Sequence, residues 1–237
     1  MRVCGRGRAR IDTSTGQRPA GRTQGGSTLE ALLPLTRLVF SSPSLYLKAT
    51  VFVVGSFTSI GGQSRRYLAE VDPYINTNNA TSWDPDLNSS VYALGLSGST
   101  LYAGGAFTTV GSSNRTYLAA INASTGVATS WNPHPNSIVY TVLPYSGNVY
   151  VGGAFTSVGG SNRTYLASLA ANVNTNMATD WDPAPNSTVR ALAAAADQMW
   201  VAGSFDKVGA SGALGYCRIN YTNDIAIGYV TSAGGTG

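Results

Sequence analysis

Leu101-Tyr102-Ala103-Gly104-Gly105-Ala106-Phe107 decides how the rest of the chain is read. It joins an apolar, β-prone run to two glycines and a phenylalanine, and the step is written four times. The other copies are Val54-Gly55-Ser56-Phe57, Gly152-Gly153-Ala154-Phe155 and Ala202-Gly203-Ser204-Phe205. Phe57, Phe107, Phe155 and Phe205 stand 50, 48 and 50 residues apart. Trp83, Trp131 and Trp181 keep the same interval, and Tyr229 falls where a fourth marker would stand. Self-similarity at this period indicates an array of like supersecondary units.

Working outward from the second copy, Val91 to Leu96 is an apolar run that ends in the turn Ser97-Gly98-Ser99. Leu101 to Phe107 follows as a second strand, a polar loop covers Thr108 to Arg115, and Tyr117 to Ile121 is a third strand. A turn at Asn122 to Gly126 leads to Val127-Ala128-Thr129-Ser130-Trp131, which Pro133 and Pro135 stop, since proline cannot donate to a ladder. Helical periodicity is absent. Four short strands per unit predict an all-β fold, a β-propeller of four blades at about 41–88, 89–136, 137–186 and 187–230. The pairs Gly104-Gly105 and Gly152-Gly153 are expected where two backbones approach closely, the phenylalanines between blades, and the tryptophans over the outer part of each contact.

Tyr150-Val151-Gly152-Gly153-Ala154-Phe155-Thr156-Ser157-Val158-Gly159-Gly160, followed by Asn162-Arg163-Thr164-Tyr165-Leu166-Ala167, resembles the kelch-like and especially the delta-60-type bacterial β-propeller repeat. The likeness runs from about residue 45 to 230. The fourth copy departs from it, with Asp206-Lys207-Val208-Gly209 at the turn and no arginine matching Arg163. The first lacks a clean opening strand, since Ser41 to Leu47 is weak where Val91 to Leu96 is strong. The resemblance implies part of an exported or surface protein.

Only 11% of residues are charged against 43% hydrophobic, and the net charge of +4 is unevenly placed. Residues 1–40 hold seven arginines against Asp12 and Glu30, so the remainder carries −1. The propeller therefore has no electrostatic footprint for nucleic acid. The Arg/Gly-rich stretch 1–40 reads as a disordered tail. Its best apolar run, Leu29 to Phe40, is broken by Glu30, Pro34 and Arg37, so it makes no convincing signal peptide, and no run is long enough for a membrane span. Two cysteines, Cys4 and Cys217, form no disulfide framework, and Cys217 in a strand-like run reads as a buried thiol.

No catalytic constellation emerges. His134, the single histidine, sits in a Pro-flanked turn, and Asp84 and Asp182 recur as turn residues before proline. Neither a cofactor motif nor a metal-ligand spacing is present. Arg65, Arg115 and Arg163 recur, each with Tyr67, Tyr117 or Tyr165 two residues on. Bonding to turn carbonyls of their own blade is the plainer account, and a ring of Arg and Tyr gripping a sugar or acidic ligand is the functional one. Seven Asn-x-Ser/Thr sequons occur, among them Asn88, Asn114, Asn162 and Asn186 at matching repeat positions.

The expectation is a non-enzymatic extracellular or cell-surface propeller that binds a protein or carbohydrate partner or acts as a spacer. The alternative is a carbohydrate-active enzyme with its site at the central opening. Four blades either close a small ring or form part of a larger one. An incomplete ring would expose apolar edges and self-associate.

Overall fold

A computed structural model of the chain describes residues 29–33, 50–175, 177–195, 198–221 and 226–229. These are all-β, with no helix among them. The repeat organises them into four sheet units. The second contains an opening strand, Val91–Ser97, a middle strand, Thr100–Gly105, and a closing strand, Leu118–Asn122. The third repeats this with Val139–Tyr145, Asn148–Gly153 and Leu166–Ala170. The fourth has Val189–Ala195, Gln198–Gly203 and Tyr216–Asn220, and adds Ala226–Tyr229. All pairings are antiparallel, with the middle strand in the centre of the three.

Two features depart from the expected blade. The fourth segment is a full strand only in the last unit, where Tyr229 stands in place of the tryptophan. Elsewhere it contributes a single bridge, Val71↔Ala80, Ile121↔Ala128 or Leu169↔Ala178. The Asx-Pro turn after each tryptophan halts the pairing there. The polar loop after each phenylalanine is also more ordered than expected. It folds as a two-stranded ribbon, such as Thr109–Val110 paired with Ser113–Asn114.

The first unit draws its opening strand from an unexpected place. Leu29–Leu33 pairs with Val51–Gly55, which pairs in turn with Leu68–Val71. This strand lies ahead of residue 40, inside the stretch read as a tail, whereas 41–49 falls outside the described residues. Its register is that of the other opening strands. Leu29↔Gly55 and Ala31↔Val54 match Val91↔Gly105 and Ala93↔Gly104, with one residue bulged between them. The same bulge falls in units three and four, so Glu30, Tyr92, Tyr140 and Arg190 share one position.

Side-by-side packing of the units builds the core. Phe52, Val54, Leu68 and Trp83 of the first unit are buried in one cluster with Leu101, Ala103, Phe107 and Ile121 of the second. The next junction sets Tyr102, Leu118 and Trp131 against Val149, Val151 and Phe155. The third sets Tyr150, Leu166 and Trp181 against Met199, Val201 and Phe205. Phe107, Phe155 and Phe205 thus face the preceding unit, and Trp83, Trp131 and Trp181 the following one, whereas Phe57 is buried among residues of its own unit. The glycine pair permits this closeness. A Cβ on Gly152 would lie 2.5 Å from Val189 of the next unit, and one on Gly153 would lie 2.2 Å from the Ile138 carbonyl oxygen. Among the described residues, the fourth unit does not pack substantially on the first, and no sheet closes on itself.

Candidate functional site

The junctions concentrate the recurring polar residues. From each tryptophan a strap of about eight residues runs onto the next unit. Trp83, Trp131 and Trp181 donate their indole N–H to the carbonyls of Asn122, Ala170 and Asn220, at 3.4, 3.0 and 3.1 Å. Their rings meet Phe52, Tyr102 and Tyr150 edge-on, with centroids 4.9, 5.2 and 5.2 Å apart. At the far end of each strap an asparagine clamps the next ribbon. Asn88 Oδ1 accepts from the backbone N–H of Thr108 and Thr109, and its Nδ2 donates to Thr108 Oγ1. Asn136 and Asn186 repeat this on Thr156 and Ser157, and on Asp206 and Lys207. The amide nitrogens of the sequon residues Asn88 and Asn186 therefore already serve as donors within the fold.

The three arginines expected as a candidate ligand surface lie in their own units. Arg65 donates to the carbonyls of Ser64 and Thr81, Arg115 to those of Asn114 and Thr129, and Arg163 to those of Asn162 and Thr179. Asp84 lies 3.2 Å from Arg65, and Asp182 lies 3.5 Å from Arg163. Asn132 takes that place beside Arg115. The Nε of each arginine is buried without a hydrogen-bond partner. Tyr67, Tyr117 and Tyr165 pack at the margins of three different clusters, so the structure does not gather them on one patch.

Those tyrosines have a backbone role that their side chains conceal. All three are left-handed, with φ of 62°, 62° and 64°, and Gly215 takes the matching place with φ of 70°. In that conformation Tyr117 N–H donates to the Phe107 carbonyl, while the Tyr117 carbonyl accepts from Gly105 N–H. Equivalent pairs occur at Tyr67, Tyr165 and Gly215. An L-residue held there stores about 1–3 kcal/mol, so the surrounding ladder must dictate it. Glycine in the fourth copy was the one sequence signal that could have revealed it.

Among the described residues, two surfaces stand open to a ligand or partner. A cleft of about 420 Å³ is lined by Asn132, His134, Ser157, Asn162, Thr175 and Met177 among others. The Asn132 amide nitrogen and His134 Nε2 are 2.8 Å apart. This offers amide, hydroxyl and imidazole groups for a neutral polar ligand, with no carboxylate lining it. The second surface is the outer face of the fourth unit, where Trp200 stacks on Tyr216 at 5.2 Å and Arg218 lies over Trp200 at 5.2 Å. Cys217 is fully buried, and burial raises its thiol pKa to about 11. Among the described residues, no group of three or more His, Cys, Asp or Glu could hold a metal, and no helix is long and apolar enough to cross a membrane.

A family model described as a domain of unknown function (DUF5122) beta-propeller matches residues 146–172. The match spans the middle and closing strands of the third unit and supports a β-propeller repeat family. Among solved structures, the chain is similar to the computationally designed Ika8 protein, at 13% identity and a TM-score of 0.41. That likeness covers 89% of this chain and 76% of that one. No curated protein matches the chain.

Proposed function

We propose that the chain is a run of four β-propeller blades, of the kelch-like or delta-60 type, acting outside the cell or on its surface. Its role is a non-enzymatic interaction or spacer module. One observation carries this reading: the polar residues written once per repeat bond to backbone within the array. The arginines hold turn carbonyls of their own blade, the asparagines clamp the next ribbon, and the tryptophans bond the next closing strand. Arg65, Arg115 and Arg163 with Tyr67, Tyr117 and Tyr165 are accordingly assigned to architecture. Specific recognition then belongs to positions that differ between blades, such as Asn132 and His134 in the cleft and the outer face of the fourth blade.

Incubating the purified chain with a panel of polysaccharides and measuring new reducing ends tests the role. The expected result is no turnover, with or without His134→Ala. Turnover that co-purifies with the chain and falls when His134 or Asn132 is replaced would sink the module reading in favour of a carbohydrate-active enzyme.

A further inference from the structure

We propose that the cleft beside His134 binds a neutral mono- or disaccharide. The inference rests on reading the chain as a non-enzymatic binding module, and it names the class of ligand. The cleft lies where the second strap, Asn132-Pro133-His134-Pro135, meets the ribbon of the third unit. The first and third straps, Asp84-Pro85-Asp86-Leu87 and Asp182-Pro183-Ala184-Pro185, meet their ribbons differently. There the ribbon glycine donates to the residue after the first proline, Gly111 to the Asp86 carbonyl and Gly209 to that of Ala184. Leu87 and Pro185 then bridge to Val110 and Val208. In the second strap Gly159 donates one residue earlier, to the Pro133 carbonyl, and among the described residues no bridge joins Pro135 to Val158.

Two further departures accompany this shift. Asp84 Oδ1 accepts from the Asp86 N–H at 3.1 Å and so closes its strap into a tight turn. Asn132 Oδ1 is instead buried with no hydrogen-bond partner, and the Asn132 amide nitrogen lies 2.8 Å from His134 Nε2. The loop beyond the closing strand differs as well. It runs from Ile121 to the bridge at Ala128 in the second unit and from Leu169 to that at Ala178 in the third, which is two residues longer. The shorter loop sits on the first strap, where a Cβ on Gly126 would lie 3.3 Å from the Asp84 carbonyl oxygen. The longer one lines the cleft with Asn174 and Thr175, both exposed.

The lining selects the ligand. At about 420 Å³ the cleft falls within the ~300–1,000 Å³ of small-molecule sites. The amides of Asn162 and Asn174 and the hydroxyls of Ser161 and Thr175 each donate and accept, as a sugar hydroxyl does. His134 keeps Nδ1 for a ligand, since Nε2 meets Asn132, and a hydroxyl donated to Asn132 Oδ1 would satisfy that acceptor. Pro133, Val158 and Met177 are buried apolar residues that can seat the C–H face of a sugar ring. Neither a carboxylate nor a Lys or Arg lines the cleft, so a charged ligand would lose water there without gaining a counter-charge.

Titrating the isotope-labelled full chain with lactose, cellobiose and maltose, and with digalacturonate as an acidic control, tests this by NMR amide shifts. At least one neutral disaccharide is expected to bind, with shifts centred on His134, Ser161, Asn162 and Thr175. His134→Ala in the strap and Asn174→Ala in the loop should each weaken that binding by about tenfold. The fold accommodates the first, since Ala184 holds the same left-handed place in the third strap, with φ of 44° against 48° for His134. Asp86→Ala, the matching change in the first strap, should leave binding unaltered. Binding unmoved by both cleft variants, or tighter binding of digalacturonate, overturns the assignment. Silence toward all three neutral sugars overturns it too, yet leaves the module reading standing, since only turnover in the reducing-end assay sinks that. A sugar that binds in the cleft and is also cleaved keeps the site and sinks the module reading.

Discussion

The junction between the second and third units and the outer face of the fourth are the same surface in two states. In the first, Tyr102 and Trp131 are 5% and 3% exposed and Gly104 lets the next opening strand approach. In the second, Trp200 is flanked by Tyr216 and Arg218 from its own unit. The difference teaches which residues build the array and which only decorate its end. An aromatic that a neighbouring unit buries carries the full transfer and cavity cost of its removal, whereas the same ring on an open face does not.

Tryptophan truncation should separate the two states most widely. Trp131→Ala removes a buried ring and its bond to the Ala170 carbonyl, and should cost about 3–5 kcal/mol in urea unfolding. Trp200→Ala should cost about 1 kcal/mol. Equal losses would mean that the fourth face is as covered as the inner junction. Adding bulk gives the next contrast. Gly152→Val drives side-chain atoms into Val189 and should cost about 1–3 kcal/mol. Ala202→Val, at the matching place on the open face, should change stability by no more than about 0.5 kcal/mol in the same assay.

Arginine removal sharpens the comparison further. Arg163→Met abolishes two bonds to backbone carbonyls and leaves the Thr179 oxygen without its donor, a loss of about 1.5–3 kcal/mol. Arg218→Met loses a contact over Trp200 and a 3.2 Å bond to Gln198, worth about 0.5–1 kcal/mol on a partly exposed face. Reversed magnitudes in thermal unfolding would place the structural arginine at the end of the array and not within it.

The sheet units were legible because glycine, phenylalanine and tryptophan answer to one physical demand in every copy. The opening strand of the first unit was legible too, though from the wrong neighbour. Leu29-Glu30-Ala31-Leu32-Leu33-Pro34 aligns with Val139-Tyr140-Thr141-Val142-Leu143-Pro144, but Glu30, Pro34 and Arg37 make it look broken as an apolar run. The shared bulge position carries Glu30, Tyr92, Tyr140 and Arg190, so identity between the copies does not mark it. The asparagine clamps were hidden differently: Asn88 and Asn186 lie in sequons, which suggested a modification site instead of a side chain bonding two backbone amides.

The last contrast concerns Cys217, which sits in the third junction opposite Val201, where the other units place Ala69, Ala119 and Ala167. Burial raises its thiol from 9.0 to about 11, so the folded chain holds the proton more tightly than the unfolded one. That contribution to stability is fully present below pH 9 and is lost as pH rises toward 11. In a Cys4→Ser background, a thiol reagent at pH 8 should modify Cys217 only on unfolding. Cys217→Ala installs the residue used by the other units, should cost about 1 kcal/mol, and should flatten part of the decline between pH 9 and 11. The rest of that decline belongs in part to Tyr102, whose phenol burial also raises. Rapid labelling of Cys217 in the native chain would show that the third junction opens on its own, and that the inner and outer faces differ less than their packing implies.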